Sequence, residues 1–185
     1  MNGGPSNPPP DAAATDLPPA VQQLIGKPMY EEQSEFPIEI GYVYNTCAAT
    51  QNGSPLYWDA KVAEEIAGGR IAPPTMLSVW MRPHFWAPGA SGERKALQTH
   101  FDLKELCGLP EAVVASNEAT FGEPVRMGDV LTMRQIVRSV GELKQTKLGQ
   151  GRFWVIDVET VNQRGEWVGT ETYTCLGYRR PEPKA

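Results

Sequence analysis

The sequence predicts an α+β domain in which an antiparallel sheet wraps a long apolar helix. Three observations lead there: short helical segments fill the front half, the apolar run TMLSVWMRPHFW follows two prolines, and four β-branched, aromatic-rich stretches fill the last third. A length of 185 residues, an apolar fraction of 41% and five Trp allow one domain with a substantial core.

Residues 1–20 hold six of the seventeen prolines and almost nothing large and apolar. Such a segment cannot bury enough surface to offset its ordering entropy, so it reads as a tail serving as spacer or polyproline ligand, with order beginning near Val21. The domain is expected over residues 21–181, with 182–185 as a second short tail. A short extended stretch from Ile38 leads into a helix reaching Cys47, and ATQNGSP breaks it with turn residues. DAKVAEEIA reads as a short helix capped by Asp59 and closed by GGR. Pro73 and Pro74 suit the first turn of the apolar helix, which Pro83 ends or kinks. The Gly- and Ser-rich APGASGER then leads to LQTHFDLKELCGLP, a turn or short strand and a small helix. Residues 113–121, 130–140, 152–161 and 167–178 read as four long strands, separated by EPVRMGD, GELKQTKLGQG and the tight NQRGE. No internal repeat of fixed period is present.

Composition excludes several roles. A net charge of −5 and a pI near 5.1 give no general attraction to nucleic acid or to an anionic membrane surface. No apolar run approaches the roughly 20 residues of a membrane span. Cys47, Cys107 and Cys175 lie far apart, without C-x-x-C or a His cluster. They read as three buried thiols in a reducing cytoplasm, with no metal site expected.

The ordered segments SPLYWD, GGRIAPPTML, EPVRMGD, KQTKLGQGRF, NQRGEWV and CLGYRRP, spread over residues 38–181, resemble the MaoC-like acyl dehydratases, in particular their N-terminal-type domain. KQTKLGQGRF and the apolar run look most like the larger MaoC-type subunit of heteromeric enoyl-CoA hydratases acting in sterol side-chain degradation. The resemblance implies a hot-dog fold, as the pattern of elements itself suggests, and an acyl thioester of coenzyme A as ligand. It implies no separate cofactor, coenzyme A entering only as part of the substrate.

Hydration of a 2-enoyl-CoA needs a base to activate water, an acid to protonate C2 and a donor to polarise the thioester carbonyl. Active members of the family supply acid and base from G-D-x-N-P-[LI]-H. Aligned on Pro55, this chain has Gln51 at the Gly, Asn52 at the Asp, Ser54 at the Asn, Leu56 at the aliphatic position and Tyr57 at the His. An amide does not titrate near neutrality and a phenol with pKa of about 10 is a poor base there, so no catalytic residue is expected in this motif. Asp59 reads as a helix cap before a base. His84, beside Pro83, and His100 read as structural or surface residues before catalytic ones. Backbone amides near Pro74 and Thr75 could polarise a carbonyl, but two prolines remove two donors.

Tyr57, Trp58, Pro74, Thr75, Met76 and Trp80 are the candidate substrate-binding residues, with Phe85 and Trp86 as further apolar surface; ordinary core is the competing reading for these aromatics. Arg70, Arg126, Lys144, Lys147, Arg152 and Arg179 are candidate cations for the phosphates of coenzyme A. The expectation is an auxiliary subunit that shapes an acyl-CoA tunnel, while a MaoC-like partner in a heterodimer or heterotetramer supplies Asp and His. The alternatives are a self-sufficient homodimeric dehydratase or thioesterase, using Asp59 or Glu118, and an acyl-CoA binding module. Neither nucleic acid nor membrane is an expected partner.

Overall fold

The computed structural model describes residues 16–80, 88–89 and 95–181. Among the described residues five short α-helices precede most of the sheet: α1 (Pro19–Gln22), α2 (Ile40–Ala49), α3 (Pro55–Trp58), α4 (Ala60–Ala67) and α5 (Gln98–Leu106). Among the described residues there are six strands: β1 (Pro28–Gln33), which lies between α1 and α2, and β2 (Glu111–Phe121), β3 (Leu131–Val140), β4 (Lys144–Thr146), β5 (Gly149–Asn162) and β6 (Trp167–Arg179), which follow α5. They form one sheet in the order β1-β3-β5-β6-β2, with β4 pairing beside β5, and every pair of strands is antiparallel.

The four long strands expected from β-branched and aromatic content are β2, β3, β5 and β6. In β5 burial alternates, with Trp154, Ile156 and Val158 pointing to one buried face. In β3 the buried set Leu131, Met133, Gln135 and Val137 keeps period two until a bulge between Val137 and Ser139, after which Val140 returns to the buried face. The registers align Val140 with Trp154 and Trp154 with Cys175, so one row of side chains crosses three strands.

Two clusters fill the core. One joins Leu17 and Val21 of the N-terminal segment and Leu103 of α5 to Val137, Trp154 and Ile156 of the sheet. The other joins Val43 and Cys47 of α2 to Met76, Leu77, Val125 and Leu131. Ordered contacts thus begin before Val21: Leu17 is buried, and Asp16 pairs with Arg152 at 2.9 Å. Residues 1–15 and 182–185 of the expected tails lie outside the described residues.

Two strands were not expected. β1, PMYEEQ, lacks alternation and carries Pro28, but it lies at the edge beside β3, where a missing N–H costs no ladder bond to an outer neighbour. Lys144–Thr146 lies within the connection GELKQTKLGQG and pairs with Gly149–Gly151 as a small hairpin. The apolar run differs too. After Pro73 and Pro74 it forms only a 3-10 turn, Pro74–Met76, and continues as turns to Trp80; Met76 and Leu77 are already fixed in the second core cluster there. The remainder, with Pro83, His84, Phe85 and Trp86, lies outside the described residues.

Candidate functional site

The loop between α2 and α4 is built by its own polar groups. Gln51 takes a positive φ of 55°, and Cys47 O accepts from Asn52 N at 2.8 Å, which turns the chain sharply after α2. Asn52 Oδ1 accepts from Ser54 N at 3.1 Å, an Asx turn that leads into Pro55 at the start of α3. Trp58 donates its indole N–H to Asn52 O at 2.7 Å and stacks on Tyr44 with ring centroids 4.9 Å apart. Asp59 then caps α4, accepting from Lys61 N at 2.8 Å, and Gly68 closes that helix in the left-handed conformation. Asn52 and Asp59 thus spend their side chains holding the loop, as the cap reading of Asp59 anticipated.

Tyr57 points the other way. With Leu56 it forms one wall of an apolar cavity of about 280 Å³. Ile71, Ala72, Pro74 and Leu77 form a second wall, and Phe121 to Val125 with Val168 form the third. Of the six candidate binding residues, Tyr57 and Pro74 line this cavity. Trp58 is 41% exposed on the Tyr44 stack, Thr75 is exposed and Met76 is fully buried in the core. Trp80 is half-buried, edge-on to Tyr42, and its indole N–H has no hydrogen-bond partner.

Sequence reasoning missed the wall from Phe121 to Val125. Glu123 to Val125 open the segment EPVRMGD, a strand separator and family motif with no local signal that it lines a cavity. Glu123 brings a carboxylate to the cavity, exposed to solvent. Glu118, two strand positions before Thr120, is exposed on β2 and is not among the lining residues.

The titratable groups divide cleanly. Burial raises the Tyr57 phenol above its ordinary value, and the nearby Cys47 thiol adds to the rise, so Tyr57 is a proton donor and not a base near neutrality. Cys47 and Cys175 are themselves raised by burial, Cys175 to about 12, and no disulfide joins the three cysteines. His100 is buried on α5, accepts the Trp154 indole N–H at Nδ1 over 3.2 Å, and is held neutral by burial and by Lys104. It packs against Trp154 of the first core cluster and is not among the residues that line the cavity.

Among the candidate cations, Arg152 is buried against Asp16 and Gly141 O, Arg179 donates to Gly108 O, and Lys144 sits 4.9 Å above the Phe153 ring. Lys147 is exposed. Arg70 and Arg126 adjoin the cavity wall: Arg70 precedes Ile71, and Ile71 bridges to Arg126. Arg70 also donates to the Tyr44 hydroxyl. Among the described residues no group of three or more His, Cys, Asp or Glu converges as a metal site would, and no helix is long and apolar enough to cross a membrane.

A family model described as FAS1-like, dehydratase domain region, matches residues 23–171. A probable enoyl-CoA hydratase alpha subunit from Thermomonospora curvata is 26% identical over 164 residues, 86% of this chain and 51% of that protein. The chain therefore spans about half the length of this curated relative. Among solved structures, the ChsH1-ChsH2 complex from Mycobacterium tuberculosis matches with a TM-score of 0.72 and 22% identity, covering 89% of this chain and 92% of that one. A MaoC-like dehydratase from Rhodospirillum rubrum matches at 0.53 and 21% identity, covering 85% and 94%. At these identities the structures bear on the fold, which is a hot-dog.

Proposed function

The chain belongs to the FAS1-like dehydratase-region family, and from that premise we propose that it is an auxiliary subunit of an enoyl-CoA hydratase, pairing with a catalytic hot-dog subunit. One observation carries the reading. At the two positions where the family motif needs acid and base, Asn52 is consumed in its own turn and Tyr57 holds its proton. Losing one such group typically costs about 10² to 10⁴ in rate, and losing two leaves little turnover.

The cavity and the sheet edge support pairing. β2 ends the sheet, and residues 113–121 along it are exposed, including Val114 at 50% and Phe121 at 42%. A long unpaired strand with exposed apolar side chains is a pairing surface unless it is covered. Phe121 belongs both to this edge and to the cavity wall, so a partner strand on β2 would also close the cavity. The heteromeric ChsH1-ChsH2 complex offers a precedent for two chains of this fold together. Sterol side-chain, branched and medium-chain acyl groups all stay open in this reading, and Arg70 and Arg126, next in the chain to lining residues Ile71 and Val125, are our candidates to meet a coenzyme A phosphate.

The test is hydration of an enoyl-CoA panel by this chain alone, by a co-expressed hot-dog partner alone, and by the two co-purified. Activity that appears or rises at least about a hundredfold only in the pair supports the reading. Comparable turnover by the chain alone sinks it. The second reading, a self-sufficient hydratase or thioesterase, draws on Glu123 as the one carboxylate among the described lining residues. It requires activity in the isolated chain that Glu123→Gln abolishes, with thiol release in the thioesterase case.

A further inference from the structure

The cavity walls are poor in free hydrogen-bond donors. Pro74 and Pro124 have no N–H, Ala72 N is committed to Val125 O, Gly122 N to Val168 O, and Glu123 N to Trp167 O. Among the described lining residues two side chains carry polar groups: the exposed Glu123, whose carboxylate is an acceptor, and the half-buried Tyr57 with its hydroxyl. That hydroxyl has no hydrogen-bond partner among the described residues, whereas Asn52 Oδ1, the Trp58 indole N–H and Asp59 Oδ1 of the same loop are paired. An unpaired donor at an apolar wall is satisfied by a ligand that brings an acceptor.

We propose that Tyr57 is the carbonyl-anchoring residue of this cavity: its phenolic O–H donates to the carbonyl oxygen of the bound acyl thioester. The donor occupies the position where the family motif has its His, so the site has exchanged a proton-transfer group for a fixed hydrogen-bond donor. Such a donor orients the thioester and polarises it, the part of the chemistry that the prolines near Thr75 remove from the backbone. The raised phenol agrees with this, since a Tyr that keeps its proton keeps its donor. This inference rests on the acyl-thioester reading above.

The experiment compares binding of hexanoyl-CoA with that of S-hexyl-CoA, a thioether with a methylene in place of the carbonyl. Both are titrated against the full chain and its Tyr57→Phe variant, alone and co-purified with the hydratase partner. The wild type should prefer the thioester by about five- to tenfold, and Tyr57→Phe should bind both ligands within about twofold while keeping its affinity for the thioether. The infrared band of an isotope-labelled carbonyl should shift down on binding to the wild type and not to the variant, which a packing role would not produce. Tyr57→His, which keeps a ring donor, should retain part of the preference and serves if the Phe variant does not fold. Equal binding of both ligands by the wild type, or a preference that survives Tyr57→Phe, overturns the role of Tyr57 and leaves acyl-CoA binding standing. Failure of the wild type to bind either ligand in both forms overturns the acyl-thioester reading and this role with it.

Discussion

Trp154 donates its indole N–H to Nδ1 of His100, so that nitrogen must be unprotonated in the fold. Burial and Lys104 both lower the affinity of His100 for a proton, so the unfolded chain binds that proton more readily than the folded one. By linkage the contribution of His100 is fully present above its unfolded value near 6.5 and is lost as pH falls through the lower folded value. Urea midpoints should therefore fall between pH 7 and pH 5. His100→Gln, whose amide can accept the same bond without titrating, should flatten that part of the slope. Asp59 makes a second residue-scale prediction. Because its carboxylate accepts from Lys61 N and Val62 N, Asp59→Ala should cost about 0.5–2 kcal/mol and Asp59→Ser should recover most of it. A cap needs only a side-chain oxygen, so enoyl-CoA turnover by the pair should follow the folded fraction in both variants.

At the scale of elements, the helices and the sheet hold one another's ends. α5 has no side-chain cap of its own, its N-cap position being Leu97, yet Thr99 N donates to Gln135 Oε1 at 3.1 Å. The acceptor comes from β3, and this explains a buried Gln in an otherwise apolar row. The turn before β3 is held in the same way: Asp129, buried, accepts from Arg126 N, Gln163 and Arg164, joining two loops distant in sequence. Burial alone would raise the Asp129 carboxyl, but these donors together bring it below its ordinary value. Strand β6 needs Gly177 for a different reason. A Cβ there would lie 2.3 Å from Trp154 Cη2 and 2.9 Å from Leu109 Cδ1, so the Trp154 ring occupies the missing side chain's place. Gly177→Ala should destabilise by about 1–3 kcal/mol, read as a lower urea midpoint with unchanged slope. An unchanged midpoint would mean that the ring can move aside.

For the whole molecule, the arrangement places the apolar cavity at a corner of the sheet, where the end of β2 meets α3 and the turn at Pro74. The same corner ends at the open edge of β2, so under the proposed reading pairing and ligand binding would be one problem. Antiparallel strands, the helix from Ile40, the Asp59 cap and the Gly68 stop were legible because period, caps and breakers are local signals. β1 was hidden because its pairing with β3 depends on a neighbour about a hundred residues away and not on its own composition. The aromatics misled in part. Trp58 and Tyr57 are adjacent, but on so short a helix neighbouring side chains diverge, one to the Tyr44 stack and one to the cavity. By itself, the sequence determined the α+β plan and the four long strands, because both are written in residue identity and short-range spacing; that Asn52 and Tyr57 stand where acid and base would is what the family resemblance implies. Only the tertiary structure decided that residues 121–125 face Tyr57 across an apolar cavity, that Arg152 is buried against Asp16, and that β2 is the open edge. Those facts depend on which strands become neighbours, and long-range pairing is set by the packing of the whole chain.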